Sequence, residues 1–154
     1  MLELYTHPMS PCAQKVRIVL AEKQLQWTAH HIDLQNKENL EPWYLALNPL
    51  GVVPTLVHDG RPVIESSIIC EYLQDSFGGV TLMPEDTWQR SRVRFWMKHV
   101  DVKLHPSCGT LQWPMVMRPT LMEKPPEERK AILERVVEKP RRERQMRLVE
   151  HGLD

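Results

Sequence analysis

A serine followed by a proline at the start of an amphipathic helix is the first place in this sequence where chemistry is possible. In Tyr5-Thr6-His7-Pro8-Met9-Ser10-Pro11-Cys12-Ala13-Gln14-Lys15-Val16-Arg17, Ser10 falls at the N-cap and Pro11 at the first helical position. A missing N–H is no loss there, because that donor has no intrahelical partner. The Ser10 hydroxyl therefore sits among unpaired backbone N–H groups at the positive end of a helix macrodipole, which favours negative charge. A thiol bound beside it is helped to ionise. The alternative is a plain helix cap with no further role. Cys12 is expected to pack as a small apolar group rather than serve as a redox thiol, and Tyr5, inside a strand, to pack in the core. The histidines form no ligand spacing with Cys12, Cys70 or Cys108, so no metal is assigned.

The elements that position Ser10 read as follows. A short strand, Leu2 to Tyr5, leads into a helix whose residues Cys12, Ala13, Val16, Val19 and Leu20 recur at helical spacing. Gln26 to Leu34 alternates loosely and forms a second strand, followed by a polar turn from Gln35 to Asn39. Glu41-Pro42-Trp43 opens a short helix through Leu47, ended by Asn48-Pro49, since a residue before proline avoids helical dihedrals. Pro54 within Leu50-Gly51-Val52-Val53-Pro54-Thr55-Leu56-Val57 is awkward for a central strand. A turn at Val53-Pro54 ahead of the strand, with a cis bond as an option, removes the conflict. His58-Asp59-Gly60-Arg61 is a hairpin signal and Pro62-Val63-Ile64 the return strand. Ser66-Ser67 then opens a helix carrying Ile68, Ile69, Tyr72 and Leu73, which stops at Gly78-Gly79. The order β-α-β-α-β-β-α makes residues 1–79 a compact α/β unit.

Residues 80–85 read as a linker, and 86–154 carry only helical patterns. Trp88, Arg92, Phe95, Trp96, His99, Val100 and Leu104 recur at three and four residues, predicting an amphipathic helix from Asp86 or Thr87 to about His105. Its aromatic stripe needs a partner. Prolines at 106, 114, 119, 125 and 126 argue against a regular helix of any length between Pro106 and Pro126. Glu127 to Glu138 is helical again, with Pro140 interrupting before the charged end. No apolar run approaches the ~20 residues of a membrane span and no charged-then-apolar leader is present, which predicts a soluble, cytoplasmic protein with no membrane partner. The three cysteines give neither a disulfide framework nor a metal pattern. Residues 1–85 hold five Lys and Arg against ten Asp and Glu, and the remainder fifteen against ten. The basic half interleaves its arginines with glutamates and lacks base-stacking aromatics, so it reads as a solvated helix surface with no nucleic-acid partner.

Taken together, Ser10-Pro11 opening the first helix, Gly51-Val52-Val53-Pro54-Thr55-Leu56, and Glu65-Ser66 opening the third helix resemble the glutathione-binding half of cytosolic glutathione transferases, over residues 1 to about 105. The resemblance implies a thioredoxin-like domain followed by an all-helical one. It implies glutathione as co-substrate in the first, a small electrophile between the two, and a homodimer. Ser10 corresponds to the catalytic serine of serine-type classes similar to the zeta, tau and bacterial β-etherase groups. Val53, Pro54, Glu65 and Ser66 correspond to glutathione-binding positions. The chemistry fits: the Val53 main chain pairs with an extended peptide, Ser66 at a helix N-terminus suits the γ-glutamyl carboxylate, and Glu65 meets the ammonium. Many members carry Lys or Gln before the valine of that turn, where this chain has Val52. Lys37 is the substitute for the glycine carboxylate, against the alternative of an ordinary solvated lysine. The family's helical domain usually fills ~100 residues or more and contains a Ser/Thr-x-x-Asp box. Residues 86–154 lack it and read as an incomplete helical half with apolar surface left exposed.

Two functions follow. One is a glutathione transferase that activates the glutathione thiolate for attack on a soft electrophile, by conjugation, isomerisation of the maleylacetoacetate type, or ether or halide cleavage. The other is a non-enzymatic interaction or regulatory protein built on the same fold, or a fragment with little activity.

Overall fold

The computed structural model describes residues 1–152. Strand β1 (Leu2–Thr6) buries every second residue, Leu2, Leu4 and Thr6, as an alternating strand with one covered face must. It is flanked by β2 (Thr28–His31) in parallel and β3 (Thr55–His58) antiparallel, and β4 (Arg61–Ile64) completes the sheet in the order β2-β1-β3-β4. The register sets Leu4 opposite both Ala29 and Leu56. The β3–β4 turn carries positive φ at Asp59 (49°) and Gly60 (77°), the two-residue geometry that matches strand twist.

Helix α1 (Pro11–Glu22) starts at Ser10, whose side chain accepts from the Ala13 N–H. Helices α1 and α3 (Ser66–Ser76) cover one sheet face, where Val16, Leu20, Ile69 and Leu73 join Leu2, Leu4 and Leu56 in the core. Val19 packs at its edge, Cys12 is only partly buried, and Ile68 faces outward at 58% exposure, so the apolar stripes of α1 and α3 are narrower than their sequences suggest. Helix α2 (Pro42–Leu47) places the fully buried Tyr44 within 6.1 Å, ring to ring, of Tyr5, which stacks on His30 at 4.6 Å. Tyr5 is thus a packing residue. This thioredoxin-like arrangement is followed by helices alone.

Helix α4 (Thr87–His99) begins where its N-cap Asp86 accepts from Gln89 N–H at 2.9 Å. Trp88, Phe95 and Trp96 remain more than half exposed. Beyond it the prolines do not break the chain as expected. A continuous rod runs through α5 (His105–Gln112) to α6 (Arg118–Met122) by way of two π-helical turns, Val100–Leu104 and Trp113–Met117. In the wider turns His105, just before Pro106, donates to Val100 C=O, and Arg118, just before Pro119, donates to Trp113 C=O. One extra residue per turn relieves the clash a proline ring makes with the carbonyl four residues back. Ser107 and Thr110 hydroxyls return to the Lys103 and Pro106 carbonyls at 2.8 and 2.9 Å. Helix α7 (Pro126–Glu134) ends earlier than expected, and Pro140 opens α8 (Lys139–His151) rather than ending a helix. No described helix is long and apolar enough to cross a membrane.

Candidate functional site

Ser10 stands where β1 turns into α1, a loop fastened from behind by Arg17. Its guanidinium donates to Thr6 Oγ1 at 2.9 Å and to the carbonyls of His7 (3.2 Å) and Pro8 (3.3 Å). Ser10 Oγ accepts from Ala13 N–H at 3.2 Å, and no other bond engages that hydroxyl among the described residues. Its hydrogen is therefore available to a ligand atom lying over the helix start.

The Val53-Pro54 peptide is cis, the form weighed from the sequence. The turn that presents it rests on a buried polar network. Tyr44 OH donates to Val52 C=O at 2.7 Å and pairs with Thr55 Oγ1 at 3.0 Å, while Asn48 Nδ2 donates to the same two atoms at 2.9 and 3.0 Å. Tyr44, Asn48 and Thr55 are all fully buried. Burial pushes the Tyr44 phenol up to about 12, so it stays a donor throughout the physiological range. Gly51 enters this turn at φ 59°, where a Cβ would come within 2.8 Å of Leu40 Cδ2. The Val53 N–H and C=O take no part in the described turn and loop bonds and are free for an extended partner.

Glu65 and Ser66 close the site at the start of α3. Ser66 is buried at 7% exposure, whereas Glu65 is exposed and held at φ 68°, ψ 113°, a conformation costly for a residue with a Cβ. That strain turns the chain abruptly from β4 into α3.

None of Ser10, Val53, Pro54, Glu65 and Ser66 lines the cavity that Lys37 lines. Lys37 occupies a left-handed turn (φ 61°) and lines this 180 Å³ cavity with Leu34, Asn39, Trp113, Arg141 and Gln145. Burial, then the charges of Arg141 and Arg135, hold its pKa below the usual lysine value, so it is not the ordinary solvated lysine of the alternative reading. Sequence reasoning passed over Tyr44, Asn48 and Arg17. The signal for Asn48 was its place before a proline; Tyr44 and Arg17 become visible only once the turns they serve are folded. Among the described residues no group of three or more His, Cys, Asp or Glu is placed to hold a metal.

A thioredoxin-like sheet with a hydroxyl-capped α1, a cis-proline turn and a buried serine opening α3, followed by helices, defines a glutathione-transferase-type architecture. Residues 9–76 match the family model "Glutathione S-transferase, N-terminal domain". Residues 9–76 are thus a glutathione S-transferase N-terminal domain, and through it the chain resembles the glutathione S-transferases, a family whose co-substrate is glutathione. It is 37% identical over 114 residues to the protein LigF of Sphingobium sp. (strain NBRC 103272 / SYK-6), covering 73% of this chain and 44% of LigF. It is 40% identical over 90 residues to glutathione S-transferase 1 of Dianthus caryophyllus, covering 58% of this chain and 41% of that protein. The crystal structure of the β-etherase LigF superposes with a TM-score of 0.89 at 30% identity, over 99% of this chain and 66% of that one. The holo structure of maleyl pyruvate isomerase, a bacterial zeta-class transferase, gives 0.64 at 31% identity, over 68% of this chain and 49% of that one. The chain spans about half the length of the curated relatives it matches.

Proposed function

We propose that this chain works as a glutathione transferase in which Ser10 stabilises the glutathione thiolate for attack on a soft electrophile. Residues 1–79 form the glutathione domain, 80–85 the linker and 86–154 the second part, helical over its described residues, that walls the electrophile side. The observation that carries the reading is the Ser10 hydroxyl, with one lone pair held by Ala13 N–H and its hydrogen uncommitted at the positive end of α1. Such a donor favours a sulfur anion without itself ionising. The unbonded Val53 main chain beside Pro54 pairs with the cysteinyl unit. Ser66, at the first turn of α3, takes the γ-glutamyl carboxylate, and Glu65 meets its ammonium. Lys37, beside Arg141, is the positive charge proposed for the glycine carboxylate, which would then lie at the cavity these two residues line.

Among reactions open to an activated thiolate, displacement at an ether carbon has the better support. The similarity to the β-etherase LigF extends over 99% of this chain, helical part included, whereas that to the zeta-class isomerase covers 68%. In that reaction a C–S bond forms as the C–O bond breaks, and the ether oxygen leaves with the electron pair. The test is Ser10→Ala. The variant is expected to fold, losing roughly 1 kcal/mol of cap stability, to retain glutathione, and to bind it with the thiol less ionised, as read by ultraviolet titration of the thiolate. An unchanged thiol pKa removes Ser10 from the mechanism. Failure of the wild type to be retained on immobilised glutathione favours the non-enzymatic reading.

A further inference from the structure

The cavity that Lys37 lines is built of groups that a glycine carboxylate alone would not use. It lies where the two parts of the chain meet: Leu34, Leu40 and Leu50 come from the α/β part, and Trp113, Met117 and Val136 from the helical part. Two cations, Lys37 and Arg141, share the lining, and among the described residues neither forms an ion pair. The neighbouring Arg135 is already paired with Glu41 at 2.7 Å, and Glu138, whose charge bears on Arg141, forms no ion pair with it. Two buried amides complete the lining. Gln145, one turn after Arg141 on α8, is 7% exposed and Asn39 is 6% exposed. Asn39 Nδ2 donates to Gly51 C=O at 2.8 Å, which fixes which amide atom is which, yet its buried Oδ1 has no hydrogen-bond partner among the described residues. A buried acceptor without a donor is a costly exception in a folded protein.

We propose that this cavity binds a monocyclic aromatic carboxylic acid carrying a hydroxyl group, its carboxylate on Lys37 and Arg141, its hydroxyl donated to Asn39 Oδ1 and its ring among the apolar side chains. The proposal does not depend on the glutathione reading. The two meet only at Lys37 and Arg141, so an acid in the cavity and a glycine carboxylate there exclude each other.

Each feature of the ligand answers one feature of the lining. Burial, then the charges of Arg141 and Arg135, lower the Lys37 pKa, and burial lowers that of Arg141, so one anion between them relieves both the desolvation and the repulsion. A carboxylate matches the planar fork of the guanidinium. The volume of 180 Å³ is close to the ~150 Å³ of a cavity that takes benzene, so the body of the ligand is one six-membered ring. Trp113 and Met117 favour an aromatic ring over an aliphatic one, through π contact and sulfur–aromatic contact. The hydroxyl is the donor that Asn39 Oδ1 lacks.

Isothermal titration calorimetry of the full chain with meta- and para-hydroxybenzoate tests the site. At least one isomer is expected to bind one-to-one and to raise the melting temperature. Benzoate, without the hydroxyl, should bind about fivefold more weakly, and the methyl ester of the hydroxy acid, without the anion, about tenfold more weakly. Lys37→Gln and Arg141→Gln, each checked by circular dichroism, should each weaken binding about tenfold. Wild type and both variants binding alike, an ester bound as tightly as its acid, or neither heat nor thermal shift with either isomer overturns the proposal. Benzoate bound as tightly as the hydroxy acids overturns the Asn39 contact and with it the class of ligand. The ligand comparisons need no variant, so they decide the matter even where a substitution unfolds the chain. Glutathione is added last, at saturation. Displacement of the acid supports a glycine carboxylate at the same two cations, whereas acid and glutathione bound together move that carboxylate elsewhere; the acid site stands in both cases.

Discussion

Tyr44→Phe isolates the network that holds the cis-proline turn. The ring stays, so no cavity opens; what goes is one hydroxyl that donates to Val52 C=O and meets Thr55 Oγ1. Val52 C=O keeps Asn48 Nδ2 at 2.9 Å, but the Thr55 hydroxyl hydrogen, fully buried, loses its acceptor. A lost hydrogen bond of about 1 kcal/mol plus an orphaned donor of about 1 kcal/mol or more gives an expected loss near 2 kcal/mol at pH 7. The phenol adds a pH signature. Its folded pKa of about 12 lies above the ordinary 10, so below pH 10 it is neutral in both states, and above that only the unfolded chain releases the proton. Wild-type stability should therefore fall by about 1.4 kcal/mol per pH unit from pH 10 towards 12, a loss absent from Tyr44→Phe. Urea unfolding of both proteins from pH 7 to 11 reads this as a gap in midpoint that narrows above pH 10. A gap under about 0.5 kcal/mol at pH 7, or one constant to pH 11, would show that water reaches the hydroxyl and that the turn is held by other means.

Gly51→Ala should cost about 1 kcal/mol or more, because φ is 59° and the new methyl meets Leu40 Cδ2 at 2.8 Å; thermal unfolding measures it. Glu65→Gly should leave stability level or raise it by about 1 kcal/mol, since glycine relieves φ 68°, while retention on immobilised glutathione falls. A destabilised variant would mean that Glu65 is not strained. Trp88, Phe95 and Trp96 on α4 are proposed as part of a homodimer face; light scattering should give twice the chain mass, and Trp96→Glu should halve it.

The α/β part was legible because its signals are local and agree. Ser10-Pro11 caps a helix whatever surrounds it, Asp59-Gly60 turns a hairpin, and Val53-Pro54 can sit ahead of a strand but not within a central one. The helical part was misread where a local rule met a longer-range remedy. Pro106, Pro114 and Pro119 each forbid an ordinary helical turn, yet two π turns absorb them and the rod continues from Thr87 to Met122. Nothing in the proline pattern distinguishes a break from an absorbed strain. Lys37 was underrated for a related reason. Its surroundings come from Arg141, about a hundred residues away in sequence, and a loop lysine viewed alone shows only its solvated side.

On the proposed reading, the way the two parts are joined separates the residues assigned to glutathione from those assigned to the electrophile. Ser10, Val53, Glu65 and Ser66 all stand on residues 1–79, over the apolar core of Leu4, Val16, Leu20, Leu56, Ile69 and Leu73. The helical part meets this body through Lys15–Asp101 at 3.3 Å, Arg94–Glu71 at 2.7 Å and Arg135–Glu41 at 2.7 Å, all partly exposed and each contributing no more than about 1 kcal/mol, and around the Lys37 cavity, where Trp113, Met117 and Val136 line the same space as Leu34, Leu40 and Leu50. Neither α4 nor α5 buries a residue; Leu121, Leu133 and Val136 do so further along. A thiolate site needs donors held within fractions of an ångström, which the buried core and the Tyr44–Asn48–Thr55 network provide. On the proposed reading, the α4–α5 stretch, which buries no residue and is tied down by exposed ion pairs, can vary by substitution while the residues assigned to the thiolate stay as they are.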